Sequence, residues 1–395
     1  EIGKEVFDTN FVRDVPHLIA LRRSLPRLRR ALFLHLLGVG RSKGQKMQHL
    51  LDVFPERLSS WLADRQEPEY RAGQIRQWIL RRRVDRFEEM TDLPKSLRSQ
   101  LAEEFFIWSS QITAHQKAPD GTEKLLLQLA DAERIECVLL RDDREHCTAC
   151  ISSQVGCGMG CVFCASGLGG VIRNLSTGEI LEELLHLDRL LPPEERLTHI
   201  VVMGMGEPLA NLDRLLPALA LATDSEGLGI GARRVTISTV GLPAGIRRLA
   251  DAGVQYHLAI SLHAPDDALR NQLVPANRGV GIGAILEAAD QYFQKTGRRI
   301  TYEYVLIQRV NDHPRHARAL AALLRNRNAL VNLIPYNPVP ELPFQTPSWS
   351  RTERFVQLLQ AGGVNVHVRY RKGNQIEAAC GQLRRRTAKN PGDED

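Results

Sequence analysis

Apolar residues change their rhythm twice along this chain. From 46 to about 105 they recur at helical spacing: His49-Leu50-Leu51-Asp52 opens an amphipathic stretch, and Ile75, Trp78 and Ile79 fall on one face between 71 and 83. Asp92-Leu93-Pro94 starts another helix with proline in its first turn. Residues 112–141 then read as short strands around the turn Pro119-Asp120-Gly121. Beyond Cys150 strands and helices alternate. Strands are expected at 151–155, 199–203, 234–238, 256–261, 301–306, 330–334 and 365–368. Helices are expected at 179–191, 284–294, 313–325 and 351–361, the first with capping-box spacing between Ser176 and Glu179. Repeated βα units imply a parallel sheet with helices outside, either a TIM-type barrel or an open doubly wound sheet. In both, ligands sit at the carboxyl ends of the strands, so the segments that follow them are where chemistry is expected.

Composition narrows the class. The 395 residues carry 52 Lys and Arg against 46 Asp and Glu, a net +6, with 43% hydrophobic residues. These values exclude a wholly disordered chain, a collagen-like polymer and a polytopic membrane protein. The apolar run at 31–37 is interrupted by His35 and is too short to span a bilayer. Residues 1–45 differ from the rest: no acidic residue lies between Val15 and Leu51, while Arg22, Arg23, Arg27, Arg29 and Arg30 are basic. Such a segment is similar in composition to a transit peptide or a nucleic-acid arm. The expectation here is a basic, disordered extension, matched by a polar tail over 385–395.

The cysteines are the strongest signal. Six of seven lie between Cys137 and Cys164, and Cys380 stands alone. An odd, dense cluster in a long chain points to a metal site in a reducing compartment rather than to a disulfide framework. Cys157, Cys161 and Cys164 form a C-x3-C-x2-C run after the first expected strand. A structural zinc ion is normally closed by four ligands. A [4Fe–4S] cluster ordinarily takes four thiolates, so three would leave one iron open to a small molecule. Zinc with Cys150 or Cys380 as a distant fourth ligand stays open as an alternative. A thioredoxin-like pair at Cys161 and Cys164 would leave Cys157 without a role.

With Phe163 before its last cysteine, this run resembles the signature of the radical S-adenosylmethionine (SAM) superfamily. That resemblance implies a partial TIM-type (β/α)6 barrel, a [4Fe–4S] cluster on Cys157, Cys161 and Cys164, and SAM bound to the open iron. It also implies reductive cleavage of SAM to a 5′-deoxyadenosyl radical, with Phe163 against the adenine side. The segment Met203-Gly204-Met205-Gly206-Glu207-Pro208 resembles the one that grips the SAM amino group, which assigns Gly206 and Glu207 there. Ser238, Ser261, Leu262, His263 and Asn337 follow at later strand ends and would converge on the same cofactor.

Cys150-Ile151-Ser152-Ser153-Gln154-Val155-Gly156-Cys157 and Glu377-Ala378-Ala379-Cys380-Gly381-Gln382-Leu383 are similar to segments of the RlmN/Cfr family of radical SAM RNA methyltransferases. The resemblance covers 46–383. It implies that Cys380 takes a methyl from one SAM, that a radical made from a second SAM removes hydrogen from this S-methyl group, and that the resulting carbon radical adds to adenine. Cys150 then attacks the Cys380 sulfur, releasing methylated RNA and a Cys150–Cys380 disulfide that must be reduced. Glu136 matches the base that removes the ring proton, with Glu133 as fallback because one extra residue lies between 141 and 149. Cys137 and Cys147 lie outside the family pattern.

The resemblance further implies two RNA substrates, an adenosine in the peptidyl-transferase region of large-subunit ribosomal RNA and adenosine 37 of tRNA. A low-potential electron donor such as flavodoxin or ferredoxin, a cytoplasmic location away from any membrane and a monomeric state complete the expectation. The domains expected are a helical RNA-binding domain at 46–110, a short β linker at 111–145 and a barrel at 146–384 that includes the Cys380 segment. Arg81, Arg82 and Arg83, joined by Arg369, Arg371 and Lys372, are candidate phosphate contacts. Met205-Gly206-Glu207-Pro208-Leu209 and Asn174-Leu175-Ser176-Thr177-Gly178-Glu179 look more like the carbon-2 branch of the family. Carbon-8 methylation and a zinc-stabilised RNA-binding module without catalysis are the alternatives.

Overall fold

The computed structural model describes residues 47–54, 56–142, 146–369 and 373–384. The extension 1–45, the tail 385–395, Arg371 and Lys372 lie outside the described residues, which belong to one compact unit beginning at Met47.

The centre of that unit is a ten-stranded sheet. In chain order its strands are β1 (Gln111–Lys117), β2 (Glu123–Gln128), β3 (Arg134–Arg141), β4 (Cys147–Cys150), β5 (His199–Val202), β6 (Val235–Thr239), β7 (His257–Ser261), β8 (Ile300–Leu306), β9 (Ala329–Pro335) and β10 (Asn365–Val368). Neighbours in sequence are neighbours in space throughout. β1 to β4 pair antiparallel, and β4 to β10 pair parallel. The parallel strands are largely apolar, as strands covered on both faces must be. Helices α4 (Thr177–Asp188), α5 (Leu212–Thr223), α6 (Pro243–Asp251), α7 (Asp267–Leu273), α8 (Ile282–Thr296), α9 (Pro314–Leu324) and α10 (Trp349–Ala361) connect them. Six βα units run from β4 to β9, as expected, and β10 adds a seventh parallel strand.

Two expectations are corrected. The first parallel strand is Cys147–Cys150, not 151–155, because side chains take over the backbone there: Glu183 accepts the Ser152 N–H at 2.9 Å, and Ser152 Oγ donates to the Glu136 carbonyl. Gln154–Gly156 instead pairs with Val171–Asn174 as a separate ribbon. The stretch read as a β linker forms β1 to β3 and continues the barrel sheet without a break.

Before the sheet come α1 (Glu56–Ala63), α2 (Tyr70–Leu80) and α3 (Lys95–Glu104). Their apolar faces, with Leu58, Ile75, Ile79, Leu97 and Leu101, share one continuous core with Leu181 and Leu184 of α4. The basic run expected to face RNA is turned largely inward. Arg83 Nε donates to Asp188 at 2.7 Å, and its terminal nitrogens donate to the carbonyls of Leu191 and Glu195 at 3.0 and 2.9 Å. Arg76 pairs with Asp224 and Glu226, Arg81 donates to the Ser225 carbonyl, and Arg82 lies over the Trp78 ring. A phosphate would have to displace partners that already hold Arg76, Arg81 and Arg83.

Candidate active site

All six strands from β5 to β10, or the residues just past their carboxyl ends, line a single cavity. Laid flat at a spacing of ~4.8 Å, six strands would spread over roughly 24 Å, so the sheet curls around its ligand end. The cavity encloses about 910 Å³, part of it open to solvent.

One wall is the loop after the Gln154–Gly156 strand, where Cys157, Cys161 and Cys164 face the cavity. Backbone contacts hold the loop shut: Cys157 N–H donates to the Gly170 carbonyl at 3.1 Å, Val162 N–H to Leu273 at 3.1 Å and Ala165 N–H to Gly381 at 2.8 Å. Gly156 makes the closure possible, because a Cβ there would lie 2.0 Å from the Gly170 oxygen. Burial pushes the Cys157 thiol up to about 11, and it raises Cys161 and Cys164 as well; the charge of Cys164 adds to the rise at Cys157 and Cys161, and that of Cys380 to the rise at Cys164. Ionising all three therefore calls for a cationic centre. Among the described residues no three His, Cys, Asp or Glu side chains stand close enough to hold one metal ion.

The residues assigned to SAM largely converge on this cavity. Gly206, Glu207, Ser238, Ser261, His263 and Asn337 line it. Leu262 does not: its side chain is fully buried in the core, and only its backbone takes part, donating to the Glu303 carbonyl at 3.0 Å. Gly206 has φ of +107°, and a Cβ there would lie 2.7 Å from Gln154 and Ser153, so only glycine fits. Burial raises the Glu207 carboxyl, although its oxygens accept N–H groups from Leu209 at 3.0 Å and Val240 at 2.8 Å. Lone pairs remain for an ammonium group. His263 adopts a left-handed backbone, φ +59°, and packs edge-on against Phe163 at 4.8 Å. Burial drives its pKa down to about 3, so it is neutral; Nδ1 accepts the Val305 N–H at 3.1 Å, which leaves the proton on Nε2. Asn337 Nδ2 donates to the Cys380 carbonyl at 3.1 Å, while its buried Oδ1 has no partner among the described residues. An acceptor left unpaired beside a cavity fits a ligand that donates to it.

Both further thiols are here and free. Cys380 lines the cavity, and Cys150 is buried at the end of β4, where the Met203 N–H bonds its sulfur. Burial pushes Cys150 up to about 12, with the charge of Cys380 adding to the rise and Arg369 opposing it. Arg369, expected on an RNA face, also lines the cavity; the charge of Cys380 raises its pKa most, helped by Glu303 and Cys150. Glu136 does not line the cavity. It is buried beneath the Cys380 segment, in an ion pair with Lys124 at 3.1 Å. The fallback Glu133 sits at a turn away from the cavity, its carbonyl accepting the Leu129 N–H.

Two participants went unnoticed in the sequence. Arg270 on α7 is buried and donates to the carbonyls of Leu262 at 3.0 Å, Ser261 at 2.9 Å and Val240, fixing two strand ends at once. Glu303, raised by burial to about 7, lines the cavity and accepts from Asn332 Nδ2 at 2.8 Å. A carboxylate in the inward register of β8 is a signal that could have found it. Arg270 carries no such signal.

Comparison with known proteins covers most of the chain. Residues 48–107 match the ribosomal RNA large subunit methyltransferase N-terminal domain, and residues 151–321 match the radical SAM superfamily. A protein of Rhodopirellula baltica named probable dual-specificity RNA methyltransferase RlmN is 55% identical, covering 87% of this chain and 92% of its own. One of the same name from Symbiobacterium thermophilum is 46% identical over 84% and 90%. The crystal structure of a radical SAM methyltransferase from Sphaerobacter thermophilus superposes with a TM-score of 0.83 at 44% identity, over 86% of this chain and 99% of its own.

Proposed function

The chain belongs to the RlmN family of radical SAM methyltransferases, and from that premise we propose that it methylates carbon 2 of adenosine in large-subunit ribosomal RNA and at position 37 of tRNA. Membership implies a [4Fe–4S] cluster and SAM. When bound, these supply a methyl cation equivalent in one step and a carbon-centred hydrogen abstractor in the next. Cys157, Cys161 and Cys164 would hold the cluster, and Gly206, Glu207, Ser238, Ser261, the Leu262 backbone, His263 and Asn337 would hold SAM.

The protein's own part follows from its thiols. Carbon 2 of adenine is electron-poor and does not attack a sulfonium methyl, so a nucleophile must carry the methyl first. Cys380 does so as a thiolate. Once the resulting methylene has joined the ring, the adduct gives up one electron, for which the oxidised cluster would be the acceptor, and its ring proton, which goes to Glu136. The Cys150 thiolate then attacks the Cys380 sulfur; the carbon–sulfur bond breaks, its electron pair stays on carbon, and a proton completes the methyl group. Arg369 favours the ionised form of Cys150. The disulfide left behind needs two electrons from a reducing compartment, the cytoplasm.

The observation that carries this reading is the pairing of Cys380, in the cavity of the three-cysteine loop, with Cys150 near enough for the charge of Cys380 to bear on it. A cluster site alone does not need a second and a third kind of thiol. The test is nucleoside analysis of ribosomal RNA and tRNA after anaerobic incubation with reconstituted enzyme, reductant and labelled SAM. 2-Methyladenosine is expected from wild type and none from Cys380→Ala with its cluster intact. 8-Methyladenosine would move the enzyme to the other branch, and methylation by Cys380→Ala would refute the covalent step.

A further inference from the structure

Lys124 stands on β2 diagonally across from Glu136 on β3, the two strands pairing Lys124 with Val138 and Leu126 with Glu136. Both side chains are almost wholly enclosed, at 3% and 1% exposure, and Nζ lies 3.1 Å from Glu136 Oε1. A buried ion pair is poor value as a source of stability, since apolar residues of similar volume do as well or better. Its contacts suggest another use. The same Nζ donates to the carbonyl of Glu377 at 3.1 Å, three residues before Cys380. Glu136 Oε2 accepts the Arg384 N–H at 2.9 Å, four residues after it. One ion pair thus grips both ends of the segment that carries the methyl-bearing thiol. Further bonds seat the middle of the segment on the cluster loop and on Asn337: Ser166 Oγ donates to Leu383 at 2.6 Å, and Asn337 Nδ2 to Cys380 at 3.1 Å.

We propose that Lys124 is a positioning residue for adduct release: its ammonium, bridging the Glu136 carboxylate and the Glu377 carbonyl, holds the base in register with the Cys380 segment. The inference rests on the reading of Glu136 as the base. Among the described residues the charged and titratable groups around that carboxylate include Lys124 from β2, Arg384 from the Cys380 segment and Cys137 on its own strand. The Arg384 guanidinium is shared with Glu341 and Glu377, whereas Lys124 makes a direct side-chain contact with Glu136.

The experiment uses the reconstituted holoenzyme and follows single-turnover release of methylated RNA from the protein–RNA adduct, with methyl loading of Cys380 from labelled SAM read in parallel. In Lys124→Met, release at pH 7 should slow tenfold or more, while methyl loading and iron content stay at wild-type levels. Lys124→Arg keeps a cation between the Glu136 carboxylate and the Glu377 carbonyl and should restore most of the release rate; if Lys124→Met does not fold, Lys124→Gln gives the same reading. Wild-type release by the neutral variants, or a loss in Lys124→Arg as large as theirs, overturns the inference. Glu136→Gln separates the two ideas. If it releases RNA normally, the base reading itself fails; if it is blocked while Lys124→Met behaves as wild type, only the role of Lys124 falls.

Discussion

Replacing Glu182 by Gln tests what fastens the amino-terminal helices to the barrel. Glu182 is a fully buried residue of α4 that accepts five donors from the segment around α1 to α3. They are the backbone N–H and hydroxyl groups of Ser109 and Ser110, with Ser109 Oγ at 2.9 Å and Ser110 N at 2.8 Å, and His49 Nε2 at 2.9 Å. Burial alone would lower the pKa of His49, but Asp52 and Glu182 raise it from 6.5 to about 10. Burial likewise works to raise Glu182, yet His49 and the Ser109 and Ser110 donors hold it below the usual 4.5. Glutamine would turn an amide group towards donors and take one of its two carboxylates from the buried imidazolium, leaving Asp52. Breaking a buried pair from one side costs about 3–5 kcal/mol, or roughly 6 °C or more in Tm at about 2 °C per kcal/mol. The sign with pH follows from the two directions. His49 contributes fully below pH 6.5, and its contribution is lost as pH rises through about 10. Glu182 contributes above 4.5 and loses its contribution as pH falls through its lower folded value. The gap in Tm between wild type and Glu182→Gln, read by calorimetry, should therefore be wide at pH 6 and narrower by at least half at pH 10. A mutant that loses less than about 1 kcal/mol at pH 6, or a gap of equal size at both pH values, refutes the reasoning.

Other substitutions probe the site and its surroundings. Gly206→Ala forces a Cβ to within 2.7 Å of Gln154 and Ser153 at a positive φ; a local cost of about 2–4 kcal/mol should abolish SAM cleavage while iron content stays normal. Arg83→Ala should lower Tm without changing the slope of log Kd for RNA against log salt; a slope reduced by about one would restore Arg83 to the phosphate face. Cys150→Ala should trap a protein–RNA adduct visible on a denaturing gel, whereas free methylated RNA at the normal rate would remove its resolving role.

The cluster loop was readable because its three cysteines lie within eight residues, and a local spacing survives any error in fold. Strand ends were readable because β5 to β7 are largely apolar and short, which locates Ser238 and His263 within two residues of a strand end and Glu207 on the loop five residues past Val202. Cys150 and Cys380, 230 residues apart, became legible only through flanking residues similar to a known family. What stayed hidden was the destination of charge. Arg76, Arg81 and Arg83 form a basic run like any solvated face, yet each finds a carboxylate or carbonyl on the barrel side. Arg270 and Lys124 look like surface residues of a short helix and a short strand, and nothing local announces their burial. The first parallel strand was misplaced because 151–155 has the apolar ends of a strand, while the Glu183 carboxylate captures the Ser152 N–H.

The most direct test lies at the iron. Anaerobically reconstituted protein, reduced and given SAM, is assayed for bound iron and for 5′-deoxyadenosine. About four irons per chain with matching sulfide, reductive cleavage of SAM, and loss of both in Cys161→Ala are the expected results. A single colourless zinc, or a full cluster that leaves SAM intact under reduction, would contradict an open iron held by Cys157, Cys161 and Cys164.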